Sequence, residues 1–196
     1  MQIDYSKQLP RQFRACAVRL YLDAFQDKLI PILGNDGRAQ DVLEKNLDRT
    51  QCIAAICDQR LVGILAIQND KGSFLNPSLR TMIKVYGIHG GIIRMCALAL
   101  LHHSTASDEL YVVGIAVVDE MRGNGIGSRL LNMLERIAFQ KGIRTISLEV
   151  VDTNPRVEAL YKRAGFILEK QRTIWPLGYF IKFPFNSTSL MVKNLG

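Results

Sequence analysis

A continuous apolar run at residues 110–118 is the strongest structural signal in the chain. It lies between charged residues, and its length and its content of Val and Ile are typical of a strand buried on both faces. Three glycines follow in the turn at 122–128, and a helical apolar period extends from Ile126 to Ala138. Glycines permit close backbone approach, and amides at a helix N-terminus attract anions. The order of strand, glycine turn and helix therefore predicts a phosphate-binding loop.

The apolar pattern around this unit predicts further helices and strands. Helical periods occur at 10–29 and 39–47, strand-like runs at 51–57, 60–68 and 145–151, and a closing hairpin over 167–195 that contains Trp175, Tyr179 and Phe180. The segment 71–107 predicts two helices instead, 76–86 and 92–102, separated by Gly90 and Gly91. We expect this helical insertion to shape a substrate pocket or a subunit interface.

The glycine turn has the spacing of a cofactor-binding signature. Arg122, Gly125 and Gly127 fill the pattern Q/R-x-x-G-x-G/A, whereas a P-loop needs Lys and then Ser or Thr after its last glycine, where this chain has Ser128 and Arg129. A second motif follows, with Asn154, Leu160, Tyr161, Gly165 and Phe166. Together the two motifs resemble those of the GNAT acetyltransferases, and the resemblance covers about residues 109–169.

This resemblance implies a fold and a reaction. The fold is α/β (α+β): a mixed central sheet with an antiparallel N-terminal half, parallel strands that splay apart at the cofactor site and helices on both faces. One N-acetyltransferase domain would span residues 1–196. The reaction is acetyl transfer from acetyl-CoA to a primary amine of a small molecule or protein, by direct attack in a ternary complex. The alternative is an inactive CoA-binding regulatory or assembly module.

The residues expected to bind acetyl-CoA lie in the strand, the turn and the second motif. By resemblance, backbone groups of the strand would pair with the pantetheine chain, and amides of the turn would bind the pyrophosphate. The full set is Ile115, Ala116, Val117, Arg122, Gly123, Asn124, Gly125, Ile126, Gly127, Ser128, Asn154 and Tyr161. A bulge permitted by Gly114 would free an amide to polarise the thioester carbonyl.

Three side chains are candidates for the chemistry. Glu109 lies thirteen residues before Arg122, where the histone acetyltransferase branch of the family has its glutamate, and period-two alternation places Tyr111 on the same face. Direct proton transfer from an alkylammonium to an ordinary carboxylate is uphill by about 8 kcal/mol. A water relay, or capture of the proton after attack, is therefore favoured. Tyr161 is the candidate hydrogen-bond donor to the departing sulfur.

Composition narrows the remaining function classes. The net charge of +7 is spread along the chain without a basic block, which argues against nucleic-acid binding and suits an anionic cofactor. The longest apolar stretch, 85–101, is interrupted by His89, Arg94 and a glycine pair, so we expect a cytoplasmic protein without a membrane span.

The metal-ligating residue types are scattered. The four cysteines have no paired spacing and are expected to be free buried thiols of a reducing compartment. His89, His102 and His103 lack companion ligands, so they are assigned structural or surface roles and no metal is predicted. A homodimer is possible.

Overall fold

Eight strands and six helices make up the described part of the protein. The computed structural model describes residues 2–100, 103–174 and 181–196, without the Leu100 side chain. The strands are β1 (Ile3–Ser6), β2 (Cys52–Cys57), β3 (Arg60–Asn69), β4 (Gly72–Ser73), β5 (Glu109–Val117), β6 (Thr145–Val151), β7 (Ile167–Thr173) and β8 (Ser187–Asn194). The helices are α1 (Arg14–Ala24), α2 (Gln26–Leu33), α3 (Arg38–Lys45), α4 (Leu79–Leu100), α5 (Ile126–Gln140) and α6 (Pro155–Arg163).

The strands form one mixed sheet in the order β1-β2-β3-β5-β6-β8-β7, and β4 pairs with β3 outside this path. Neighbours from β1 to β5 pair antiparallel, β5 and β6 pair in parallel, and β6, β8 and β7 pair antiparallel again. The predicted hairpin of β2 and β3 turns at Asp58 and Gln59, whose φ angles of 47° and 60° fit a type I′ turn. The predicted fold class is confirmed.

Helices cover both faces of the sheet and divide the core in two. α1 to α4 pack on one face, around buried residues such as Tyr21, Leu33 and Met82. α5 and α6 pack on the other, where Leu130 and Tyr161 are buried. A gap between two strands of the sheet therefore lies between these two core clusters.

The first predicted helix, 10–29, is wrong as a single element. α1 ends before Phe25, whose φ of −118° and ψ of 24° interrupt the helical path, and α2 begins directly after it. The apolar period continues across this break, because both helices bury apolar residues in the same core cluster. β1 was not predicted, and the predicted aromatic residues Trp175, Tyr179 and Phe180 lie outside the described residues.

The helical insertion also breaks at a different glycine from the predicted pair. α4 consists of two segments, 79–86 and 88–100, joined at Gly87, which has φ 75° and ψ 172°. Gly91 lies within the second segment, where a Cβ atom would come within 2.7 Å of the Ile83 amide nitrogen. Gly91 therefore permits the two segments to pack closely, while Gly87 supplies the left-handed turn.

By length and composition alone, Leu79–Ala99 could cross a membrane. The break at Gly87 leaves each segment shorter than the roughly 20 residues that a helical span requires. Met82 in the first segment is fully buried in the protein core. The absence of a membrane span stays a prediction.

The cysteine prediction is half wrong. All four thiols are free, but only Cys52 and Cys57 are buried, whereas Cys16 and Cys96 are exposed. The two buried cysteines lie at the ends of β2, and the two exposed ones lie on helices α1 and α4.

Candidate active site

β5 and β6 separate in the middle of the sheet. Their parallel ladder ends with the pair Val112 and Leu148. Beyond it, β5 stays paired with β3 and β6 stays paired with β8, but not with each other. The facing backbone edges of 114–117 and 149–151 therefore border a gap, which is the splay that the family resemblance implies.

A β-bulge lies at the start of this gap. The register of β3 and β5 shifts between Ala66 and Ile67, so that Val113 is an extra residue beside Gly114. Phe25 covers the bulge, since a Cβ atom on Gly114 would lie 2.1 Å from its Cζ atom. Only glycine fits under this ring, and the expected irregularity is present at the expected place.

The glycine turn forms a concavity at the N-terminus of α5. A cavity of about 320 Å³ opens there, lined by Val117, Met121, Arg122, Gly123, Gly125, Ile126, Gly127, Ser128 and Leu160. Gly123 and Gly125 have φ of 81° and 72°, and a Cβ atom on either would meet no atom within 4 Å. The backbone is thus exposed to the concavity, where amides and the helix dipole favour an anion. We call this the glycine cradle.

Side chains in the turn support the cradle without filling it. The Arg122 guanidinium pairs with Asp119 at 2.7 Å, and the Asn124 amide group donates to the Met121 carbonyl at 3.1 Å. These bonds hold the turn in place. The cradle therefore offers a ligand its backbone amides, and Asn124 acts as a brace that does not line it.

The other predicted cofactor residues surround the cradle. Ile115 and Ala116 lie on β5 along the gap. Asn154 occupies the N-cap position of α6 but makes no side-chain capping bond. Tyr161 is buried on α6 and meets the Phe166 ring edge-on at 5.7 Å. None of these four lines the cradle itself, and their contacts with a cofactor stay predictions.

A larger cavity, of about 740 Å³, lies on the other face of the sheet. Its wall includes Phe25 and Lys28 around the α1–α2 junction, Val113 at the bulge, and Glu149 on β6. The helical insertion contributes Met95, Leu98 and Ala99. The insertion therefore lines a pocket that begins where β5 and β6 separate, and the binding of a substrate there stays a prediction. We call this pocket the large cavity.

Glu109 is the centre of a hydrogen-bonded cluster beside the large cavity. Its carboxylate accepts from His103 Nε2 at 3.1 Å, from the Ala106 amide at 3.1 Å and from the Ser147 hydroxyl. Its side chain is only 14% exposed. His103 lines the cavity and Glu109 does not. Glu109 is hydrogen-bonded to His103. Its role as the base stays a prediction.

Three contacts fix His103. Its ring stacks on Tyr111, with centroids 4.4 Å apart and planes at 11°, and its backbone carbonyl accepts from Gln68 Nε2. When Nε2–H donates to Glu109, the neutral ring carries its lone pair on Nδ1. This arrangement can take up a proton at Nδ1 while the carboxylate stabilises the resulting imidazolium.

The two predicted tyrosines stay protonated. Burial raises the pKa of Tyr111 well above its ordinary value, and the charge of Glu149 raises it further. Burial alone raises the pKa of Tyr161. A phenol with a raised pKa is a poor proton donor but remains a good hydrogen-bond donor. Both residues can therefore orient a substrate or a leaving group, and neither is suited to act as a base.

Lys28 and Glu149 place opposite charges in the large cavity. Burial lowers the pKa of Lys28, and the Glu149 carboxylate partly opposes this change. Lys28 is half-buried, with part of its surface accessible through the cavity. The protein atoms packed around it still remove enough water to disfavour its charged form. Glu149 is 16% exposed and has Arg172 at 3.8 Å. Among the described residues, no carboxylate lies within the 4 Å of the Lys28 nitrogen that an ion pair requires.

Sequence reasoning missed His103, Lys28 and Glu149. His103 was assigned a structural role, although it lies six residues before Glu109 across a short loop, which brings the two ends together. Glu149 had a visible signal, because it is the single charged residue of its strand. Lys28 had none, since a lysine on an amphipathic helix is ordinarily exposed.

A model of the acetyltransferase (GNAT) family matches residues 17–166. The chain belongs to this family. The matched region begins in α1, contains the glycine cradle, and ends with Phe166 after α6. The splayed strands and the cradle are thus parts of a GNAT acetyltransferase domain.

Curated relatives match over shorter stretches. A bovine thialysine N-epsilon-acetyltransferase is 39% identical over 56 residues, which is 29% of this chain and 33% of the relative. A mycothiol acetyltransferase of Corynebacterium aurimucosum is 33% identical over 95 residues, or 44% of this chain and 30% of the relative. The chain thus spans about a third of the length of these relatives.

Solved structures resemble nearly the whole chain. An N-acetyltransferase from Staphylococcus aureus Mu50 has a TM-score of 0.67 at 17% identity and covers 97% of this chain and 100% of its own. Arabidopsis thaliana NAA60, solved in complex with acetyl-CoA, has a TM-score of 0.60 at 19% identity, with 99% of both chains covered. At these identities the likeness establishes the fold.

Proposed function

We propose that this GNAT protein transfers an acetyl group from acetyl-CoA to a primary amine. The observation that carries the proposal is the gap between β5 and β6, which lies between the glycine cradle on one face and the large cavity on the other. A donor held at the cradle and an amine held in the cavity would meet at the Val113–Gly114 bulge. The acetyl-CoA complex of the Arabidopsis neighbour supports the choice of donor.

The residues present fit acetyl-CoA, which would supply an activated acetyl thioester. Amides of 122–128 would bind its pyrophosphate at the positive end of α5. The open edge of 115–117 would hydrogen-bond the pantetheine amides as an added strand would. The free backbone amide at the bulge would polarise the thioester carbonyl, because the register shift removes it from the ladder.

His103 and Glu109 would manage the proton of the amine. Nδ1 of His103 accepts the proton, directly or through water, as the nitrogen attacks, and Glu109 holds the ring and stabilises its charge. This role suits an imidazole better than a carboxylate, since an imidazole is the stronger base and proton transfer to it from an ammonium is less uphill. Glu109 is then a positioning residue, and Tyr161 donates a hydrogen bond towards the departing sulfur.

The competing hypothesis is an inactive CoA-binding module. The full chain incubated with acetyl-CoA and a panel of primary amines would distinguish the two, with product mass and CoA release both measured. We expect equal amounts of acetylated amine and CoA, and initial-rate lines that intersect when both substrates vary, as direct attack in a ternary complex requires. Binding of acetyl-CoA without any acetylated product would favour the inactive module.

A further inference from the structure

Lys28 contributes a positive charge to the wall of the large cavity, and in the described part of the chain no carboxylate lies at ion-pair distance from it. Lys28 lies in the first turn of α2, three residues after Phe25, and both residues line the cavity. Phe25 also covers the bulge. Glu149 is the first β6 residue beyond the last β5–β6 pair, on the same side of the strand as Ser147. The two charges therefore flank the point where acetyl transfer would occur.

The environment of Lys28 calls for a negatively charged ligand group. Lys28 is half-buried in the cavity wall, and the described residues offer its ammonium no carboxylate within 4 Å. A partly desolvated ammonium without a directly paired carboxylate is costly. Of the other charged groups in the wall, His103 is engaged with Glu109, and Asp70 and Lys71 are exposed. A ligand carboxylate beside Lys28 would supply the negative charge that the described residues do not place within 4 Å of its ammonium.

We propose that the acceptor carries a carboxylate as well as its amine, as an amino acid does. Lys28 binds the carboxylate and Glu149 binds the ammonium before it loses its proton. The cavity of about 740 Å³ has the size of a small-molecule site. This inference rests on the proposed acetyl transfer and adds the chemical class of its acceptor.

Matched pairs of amines test the inference. The pairs are lysine and cadaverine, ornithine and putrescine, histidine and histamine, and tyrosine and tyramine, in which the second member lacks only the carboxylate. For at least one pair we expect kcat/KM to favour the amino acid by about tenfold or more, mainly through a lower KM. Equal kcat/KM for both members of every pair would overturn the inference and leave acetyl transfer intact.

Variants assign the preference to a residue. Lys28→Met should remove the preference, and Lys28→Arg should retain most of it because the charge remains. Lys71→Met is the matched control, since it removes the same charge from an exposed position at the cavity mouth. Glu149→Gln should raise KM for both members of a pair, since both carry an ammonium. An undiminished preference in folded Lys28→Met would overturn the assignment.

A binding measurement separates this inference from the proposed reaction. Calorimetric titration of the acetyl-CoA-free protein with each pair does not depend on turnover. Binding of an amino acid that is lost in Lys28→Met supports the carboxylate subsite even if no acetyl transfer is found. Failure of every amino acid to bind, with acetyl transfer to simple amines intact, would overturn the subsite alone.

Discussion

The pair of His103 and Glu109 makes the proton-transfer proposal testable with single substitutions. We expect His103→Gln and Glu109→Gln each to lower kcat by roughly 10²-fold to 10⁴-fold at neutral pH, with little change in acetyl-CoA affinity. The defect should shrink as the pH approaches the pKa of the amine, because neutral nucleophile then forms without a base. Rate profiles over about pH 6 to 9 measure this.

A merely structural role of the cluster would give a different result. Ser147→Ala removes one donor to the same carboxylate and leaves His103 in place, so it should reduce kcat less and keep the wild-type pH profile. A defect in kcat that does not change with pH, in both Glu109→Gln and His103→Gln, would exclude proton transfer by this pair.

Phe25 provides a second test with one side chain. Its ring covers Gly114 at the bulge, beside which the acyl group would lie, so we expect it to restrict the length of that group. Phe25→Ala should raise kcat/KM for butyryl-CoA relative to acetyl-CoA by about tenfold or more, since each methylene is worth roughly that factor. Leu29→Ala truncates a neighbouring wall residue that does not cover the bulge. An equal change in both variants would contradict the assignment.

Single residues were predictable where local backbone geometry decided their role. The bulge beside Gly114 and the turn glycines could be inferred from sequence, because positive φ and close approach select glycine. His103 and Lys28 could not, since contacts with elements distant in sequence place them. Gln68 donates to the His103 backbone carbonyl, and the charge of Glu149 acts on the Lys28 ammonium.

The junction of the glycine turn with α5 is the element on which cofactor binding depends. Gly125→Val should abolish acetyl-CoA binding, because a branched side chain would project into the cradle from a residue with φ 72°. Gly142→Val is the matched control: its φ of 67° imposes similar backbone strain at the other end of α5, away from the cradle. Calorimetric titration with acetyl-CoA measures both.

The Gly142→Val control distinguishes a loss of acetyl-CoA binding caused at the cradle from one caused by general backbone strain. Similar melting temperatures of the two variants, with binding lost only in Gly125→Val, would assign the effect to the cradle. Retained affinity in Gly125→Val, or equal loss in both variants, would refute the assignment of the pyrophosphate to this turn.

Hydrophobic periodicity predicted most helices and strands, but it did not predict where the helices are interrupted. The β2–β3 hairpin, β5, α5 and β6 lie close to their predicted bounds. The α1–α2 junction was missed because Phe25 continues the apolar period, and the Gly87 break was assigned to the wrong glycines. In both cases the chain direction is set by contacts with the sheet or with a second helix segment, which periodicity does not contain.

For the molecule as a whole, the helical insertion is less separable than its sequence suggests. Phe74 and Met82 are fully buried, in the same core cluster as Tyr21. β4 pairs with β3, and Leu75 forms a bridge with Leu47. The segment 71–107 therefore completes the core on the large-cavity side, and its removal would open that half of the protein. Ile88 and Ile93 of the insertion are exposed, and the homodimer stays a prediction.

Phe74→Ala measures how far the insertion stabilises the fold. The ring is fully buried and lies 5.6 Å from the Tyr21 ring, so its loss should lower the free energy of unfolding by about 3–5 kcal/mol. Phe139→Ala is the control, since that ring is 75% exposed on α5 and its removal should cost less than about 0.5 kcal/mol. Urea unfolding of both variants gives the two values. Equal, small losses would mean that the insertion is an appendage, and the large cavity would then lose the wall on which acceptor selection depends.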